Sequence, residues 1–183
     1  MDHTLKQGKY GVIYADPPWT FKTYSNKGKD RSPEKHYKVL SHSDICNLGV
    51  GNLAKDNAIL LMWAIDPLLD KAFEVIKAWG FTYKTVGFTW AKTNKKSEGF
   101  FTGLGYWTRG NPEMCLLATK GKPKRLSKSV PQLVVSKRRE HSRKPDIIYN
   151  HIENLADGPY LEMFARTKRP GWDSWGNEID KFK

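Results

Sequence analysis

Short apolar runs separated by polar or glycine-rich stretches set the hydrophobic pattern of this chain. Gly11–Ala15 and Ala58–Trp63 read as buried strands, and Tyr83–Trp90, Met114–Thr119 and Tyr160–Ala165 read as further strands. Val134-Val135 adds a possible short one. Ser41, with Asp44 three residues on, forms a capping-box pattern that opens a short helix through about Leu48. Asp66-Pro67 starts a second helix, whose Leu69, Phe73, Ile76 and Trp79 fall at helical spacing before Gly80 closes it. Pro145 starts a third, with Ile147, Ile148, His151, Ile152 and Leu155 as its face, ending near Gly158.

Strands that alternate with helices argue for an α/β sheet with parallel pairs. Three stretches lack periodicity: Thr20–Lys38, Lys92–Asn111 and the strongly basic Lys120–Lys144. The first two read as long loops, and such loops beyond strand ends suit an active site. A tail with Trp and Gly follows the Tyr160–Ala165 run.

At 183 residues the length suits a single domain, residues 1–183. The net charge of +12 makes an anionic partner the default expectation. No apolar run is long enough to span a bilayer, and the polar opening Met1–Lys9 has no leader pattern. Cys46 and Cys115 are isolated, as expected of packed thiols in a reducing compartment. The expectation is a cytoplasmic protein with no membrane partner.

The most informative stretch is Asp16-Pro17-Pro18-Trp19, directly after the first strand. Two prolines stop the strand, so an acid and a large aromatic are fixed at its carboxyl end, where open α/β sheets bind ligands. A carboxylate in that position suits a flat heterocycle held by its exocyclic amine. The tetrad alone also fits a strand-ending turn with a core tryptophan.

The tetrad resembles the signature of the DPPW-type adenine N6-methyltransferases, the branch that includes eukaryotic messenger-RNA adenosine methyltransferases and bacterial and phage DNA relatives. The likeness extends to Gly8-Lys9-Tyr10, His36 through Ser41, Gly105-Tyr106-Trp107, Asn111 through Cys115, His141 through Tyr149, Leu161 through Arg166, and Trp172 through Asn177. These blocks keep the family's order over nearly the whole chain. The resemblance implies a Rossmann-like, S-adenosylmethionine-dependent fold with permuted motif order, and methyl transfer to adenine N6 in nucleic acid. DNA is favoured over RNA by analogy with the short members. An inactive nucleic-acid-binding subunit is the alternative of another class, and a homo-oligomer or partner subunit is compatible with the family.

The amino nitrogen of adenine is a poor nucleophile, because its lone pair is delocalised into the ring. Asp16 can accept one of its N–H bonds, the Pro17 carbonyl can accept the other, and Trp19 can stack on the base. Asp16, Pro17, Pro18 and Trp19 are therefore the candidate catalytic residues. By resemblance, Asp16, Lys144, Glu162, Phe164, Arg166, Asn177 and Glu178 surround the cofactor S-adenosyl-L-methionine, with Lys144 on its carboxylate. Phe164 equally fits a core strand aromatic, and Glu178 a solvated tail residue. With fifteen residues ahead of Asp16, the segment that longer members use at the adenosine pocket has no counterpart. The pocket is expected to be more open, or completed by another part of the chain or by a partner.

Candidate nucleic-acid contacts are Tyr37, Trp107, Arg109, Lys124, Arg125, Arg138, Arg139 and Arg143, with a solvated basic loop as the bland alternative. A metal site on His36, His42 and Asp44, completed by His141 or His151, is rejected for want of any ligand spacing.

Overall fold

The computed structural model describes residues 5–19, 40–140 and 143–179. The Thr20–Lys38 loop, with His36 and Tyr37, and His141 lie outside the described residues.

The first apolar run becomes β1 (Tyr10–Ala15), buried at every position. β2 (Ala54–Ala64) is longer than its apolar core, because polar Lys55, Asp56 and Asn57 extend it at the exposed end. β3 (Thr82–Thr93), β4 (Glu113–Lys120), β5 (Leu133–Lys137), β6 (Tyr160–Met163) and β7 (Trp172–Trp175) complete a seven-stranded sheet in the order β5-β3-β4-β2-β1-β6-β7. β1 runs parallel to β2 and β6, β6 to β7, and β3 to β5. β4 alone runs against its neighbours β2 and β3. The reason is the connection. A loop joins β3 to β4, whereas each parallel neighbour needs a crossover. This is the Rossmann-like α/β architecture expected.

Alternation along β1 sends Ile13 and Ala15 to one face and Val12 and Tyr14 to the other. α1 (His42–Cys46) and α2 (Leu69–Ala78) cover the first face, through Ile45, Ala72, Val75 and Ile76. α3 (Ile147–Leu155) covers the second, through Ile148, Tyr149 and Ile152. Central strands covered on both faces are apolar throughout, which is why β1 and β2 were legible as runs. The capping box at Ser41 forms, with the Ser41 hydroxyl accepting from the Asp44 amide while the Asp44 carboxylate accepts from the Ser41 amide.

Besides the longer β2, and β3, which runs on through Lys92 and Thr93 of the expected loop, other elements differ from expectation. A 3-10 turn at Asp66–Leu68 precedes α2, and Phe73 points to the rim, 40% exposed, with its ring edge-on to Tyr83 at 4.9 Å. The Tyr160–Ala165 run stops at Met163, because Phe164 turns the chain with φ +63°. The tail contains β7, where Trp172 stacks on Tyr160 at 4.7 Å. Among the described residues no helix is long and apolar enough to cross a membrane.

Candidate active site

The carboxyl ends of β1, β2, β3 and β6 and the amino end of β4 share one edge of the sheet. Asp16 leaves β1 at this edge. Pro17 and Pro18 end the strand, and the Trp19 amide donates to the Pro17 carbonyl at 2.8 Å, closing a three-residue turn. That carbonyl keeps one lone pair for another donor.

Trp19 turns inward. Its ring is 6% exposed within the α1/α2 core, and its indole N–H donates to the Trp63 carbonyl at 2.9 Å. A ring enclosed in this way offers no face to a base, so the stacking role expected of Trp19 is replaced by anchoring the turn. The aromatic bulk next to two prolines makes the corner stiff from below.

Asp16 stands among cations from distant parts of the chain. The Lys144 ammonium donates to both of its oxygens, at 2.9 and 2.8 Å, and Arg166 lies 3.7 Å away. Lys144 also meets Glu113 at 3.2 Å and sits 5.2 Å over the Trp63 ring. Glu113 in turn pairs with Lys92 at 2.8 Å, and Arg166 with Glu178 at 3.8 Å. Burial opposes charge on Lys144, but the Asp16 and Glu113 carboxylates beside it outweigh that and hold its pKa above the usual lysine range. Burial likewise works to raise Glu113, and the Lys144 and Lys92 ammoniums overcome it, holding the carboxyl at about 2.

Glu162 is the opposite case. It is 8% exposed on β6, opposite Tyr14, and its oxygens accept the Tyr149 hydroxyl at 2.9 and 3.0 Å. Burial pushes its pKa to about 7, against the lowering effect of that hydrogen bond.

Two clefts adjoin at this edge and share Asp16, Phe164 and Arg166. One also has Lys144, Tyr149 and Glu162 in its wall. The other adds Pro18, Trp175, Asn177 and Glu178. All seven residues expected near a cofactor thus converge on one site. Phe164 reaches it from a left-handed backbone conformation, unusual for a bulky residue and held by its surroundings. Gly176 permits the approach of the tail, since a Cβ there would lie 2.4 Å from the Ala165 carbonyl oxygen. The site offers the half-buried Lys144 ammonium and carboxylates for a zwitterion, and the Phe164, Pro18 and Trp175 side chains for a flat ring. That donor set fits S-adenosylmethionine.

The candidate nucleic-acid residues divide. β4 and α3 both run away from the Asp16 edge, so the loop after Lys120 lies at the far end of the sheet. There the Lys122 amide bonds Asn57 and the Leu126 amide bonds the Leu155 carbonyl. Lys124 and Arg125 therefore lie at the end of the sheet away from Asp16, apart from the other candidate contacts. β5 returns the chain to the Asp16 edge. Arg138 stacks over Phe101 at 4.1 Å; Arg139 pairs with Asp146; Arg143 lies 3.5 Å from Glu140 and lines the first cleft. Trp107 is 96% exposed with φ +66°, and Arg109 is exposed beside it.

Glu113, Lys92 and Tyr149 were not singled out from the sequence. An acid directly after Asn111-Pro112, opening a strand at the ligand-binding edge, was the available signal for Glu113. Among the described residues no cluster of three or more His, Cys, Asp or Glu side chains could hold a metal. His42 instead pairs with Glu74 at 2.7 Å, and His151 stacks on Phe88 at 6.0 Å.

Comparison with known proteins fits this geometry. The chain is 32% identical to the Type II methyltransferase M.MunI of Mycoplasma sp, over 96% of this chain and 80% of that protein. It is 32% identical to the N(6)-adenosine-methyltransferase MT-A70-like protein of Drosophila melanogaster, covering 94% of this chain and 27% of the relative. To the N(6)-adenosine-methyltransferase catalytic subunit METTL3 of Homo sapiens it is 30% identical, covering 94% and 29% respectively. The chain therefore spans under a third of these longer relatives. The MT-A70 family model matches residues 10–178, from the first residue of β1 to Glu178 in the second cleft, and the chain belongs to the MT-A70 family.

Proposed function

We propose that this chain, as one domain of residues 1–183, transfers the methyl group of S-adenosylmethionine to the N6 amine of adenine in nucleic acid. One observation carries the reading: Asp16, on its proline turn, belongs to the walls of both clefts. A methyl donor lying across both clefts would pass that carboxylate, and an amine held by Asp16 would meet its methyl there.

The bound cofactor supplies an electrophilic methyl on a sulfonium. The rest is positioning by the chain. Lys144, which holds Asp16 and Glu113 in the free protein, would turn from Asp16 to the methionine carboxylate and so free the Asp16 oxygens for the amine. Glu162, Phe164 and Arg166 would line the middle of the site, and Asn177 and Glu178 would face the adenosine half. Asp16 accepts one amine N–H and the Pro17 carbonyl, through its remaining lone pair, accepts the other. Two acceptors draw the nitrogen toward pyramidal geometry and free its lone pair for the new N–C bond. Trp107, Arg109, Arg138, Arg139 and Arg143 contact the nucleic-acid strand near this edge.

DNA is the favoured substrate, on the analogy with the short members of the family that the sequence resembles. Comparable identity to N(6)-adenosine-methyltransferases supports RNA as the second reading. The test is incubation with labelled cofactor and matched single- and double-stranded DNA and RNA, followed by nucleoside analysis. Labelled N6-methyladenine is expected. Asp16→Ala is expected to abolish transfer with the fold intact by circular dichroism. Transfer near the original rate would refute the role of Asp16.

A further inference from the structure

The sheet edge that carries Asp16 continues past Glu113 to a further cleft with different walls. The loop 94–112 folds back over the end of β3. The Asn111 side chain bonds both backbone groups of Lys92, at 2.9 Å each, and also donates to the Phe101 carbonyl. The Gly103 amide donates to the Gly110 carbonyl at 2.8 Å, closing the loop on itself. A clamp of this kind shapes the cleft before anything enters it. Phe101, Leu104 and Pro112 form its apolar side, and Lys92 and Arg138 its cationic side. Leu104 is 61% exposed, and the Arg138 guanidinium carbon sits over the Phe101 ring, 4.1 Å from its centroid.

A planar cation on an aromatic ring, with an exposed aliphatic side chain nearby, suits a nucleobase, which can stack on any of them while the cations meet its phosphate. Charge favours this occupant over a protein surface, because with Lys92 matched by Glu113, Lys95, Lys96 and Arg109 of the loop and Arg138 of the cleft wall still outnumber the acid Glu98.

We propose that this cleft binds one unpaired nucleotide of the substrate strand, outside the target adenine. The inference rests on the methylation proposed above and adds a context-reading subsite to it. β3 lies three strands from β1, about 14 Å at the usual spacing. Nucleotides rise about 3.4 Å each when stacked and about twice that when the strand is drawn out and its bases splayed, which sets the occupant about two to four nucleotides from the adenine. A base held against Phe101 and Leu104 has left any duplex, so the subsite selects single-stranded or locally opened substrate.

An abasic scan tests this. Oligonucleotides with one adenine, in DNA and RNA versions, carry a single abasic residue moved stepwise along either flank. Binding is read by fluorescence anisotropy with S-adenosylhomocysteine present, and methylation by label incorporation. An abasic residue about two to four positions away on one side should weaken binding about tenfold and raise KM without changing kcat. In Leu104→Ser, an exposed change checked for folding by circular dichroism, that position-specific loss should shrink. A flat scan, or a local loss that Leu104→Ser leaves intact, overturns the inference. So does a dimer that Leu104→Ser dissociates while the scan stays flat. Absence of methyl on adenine in the intact oligonucleotide would count against the proposed activity instead, and the anisotropy scan would still report on the cleft.

Discussion

Glu162→Gln should stabilise the ligand-free protein at pH 8 and do little at pH 5. The buried carboxyl has its pKa raised from 4.5 to about 7, chiefly by desolvation. At about 1.36 kcal/mol for each tenfold step in proton affinity, this amounts to about 3 kcal/mol. The sign follows from linkage. A raised folded-state pKa favours folding while the group is protonated, below 4.5, and that advantage is lost as pH rises through about 7. At pH 8 the wild type holds an ionised carboxylate in a nearly closed site, with the Tyr149 hydroxyl as its donor. Glutamine keeps an acceptor for that hydroxyl and carries no charge at any pH. Urea unfolding at both pH values measures the effect. The advantage of the variant should grow by about 2–3 kcal/mol from pH 5 to pH 8. An equal difference at both pH values would show that desolvation of Glu162 does not set its titration.

Glu113→Gln should act with the opposite pH sense, because Lys144 and Lys92 depress that carboxyl to about 2. The variant should be less stable at pH 7 by up to about 3 kcal/mol, with the difference closing as pH falls from 4.5 toward 2, measured by the same unfolding curves. Trp19→Ala should destabilise the fold by about 3–5 kcal/mol, as for a core aromatic, and Trp19→Phe by about 1 kcal/mol for the lost bond to the Trp63 carbonyl; denaturant midpoints distinguish these from a purely ligand-facing ring. Gly176→Ala should weaken cofactor binding in calorimetric titration while leaving the circular dichroism spectrum unchanged, because its Cβ would push the tail off Ala165 beside Phe164.

Much of this molecule is local in origin and was open to inspection in the chain. Doubly buried strands must be apolar at consecutive positions, so β1 and the core of β2 announce themselves, and the Ser41 capping box and the stops at Pro17 and Gly80 need only neighbouring residues. The place of Asp16 follows from the same locality, as an acid on a proline turn at a strand's end. Its partners do not. Lys144 comes from 128 residues away, and only the antiparallel insertion of β4 brings Glu113 to meet it. β7, four residues of mixed character, exists because β6 offers it an edge. The basic segment looks uniform in sequence, yet one passage of β5 through the sheet divides it between opposite ends. Trp19 could have faced ligand or core, and the Trp63 carbonyl that accepts its indole N–H, together with the apolar cluster around Ile45, Ala72 and Ile76, holds it inward. Backbone pattern is written in short-range chemistry, whereas charge pairing and the facing of an aromatic ring depend on what the fold places across from them.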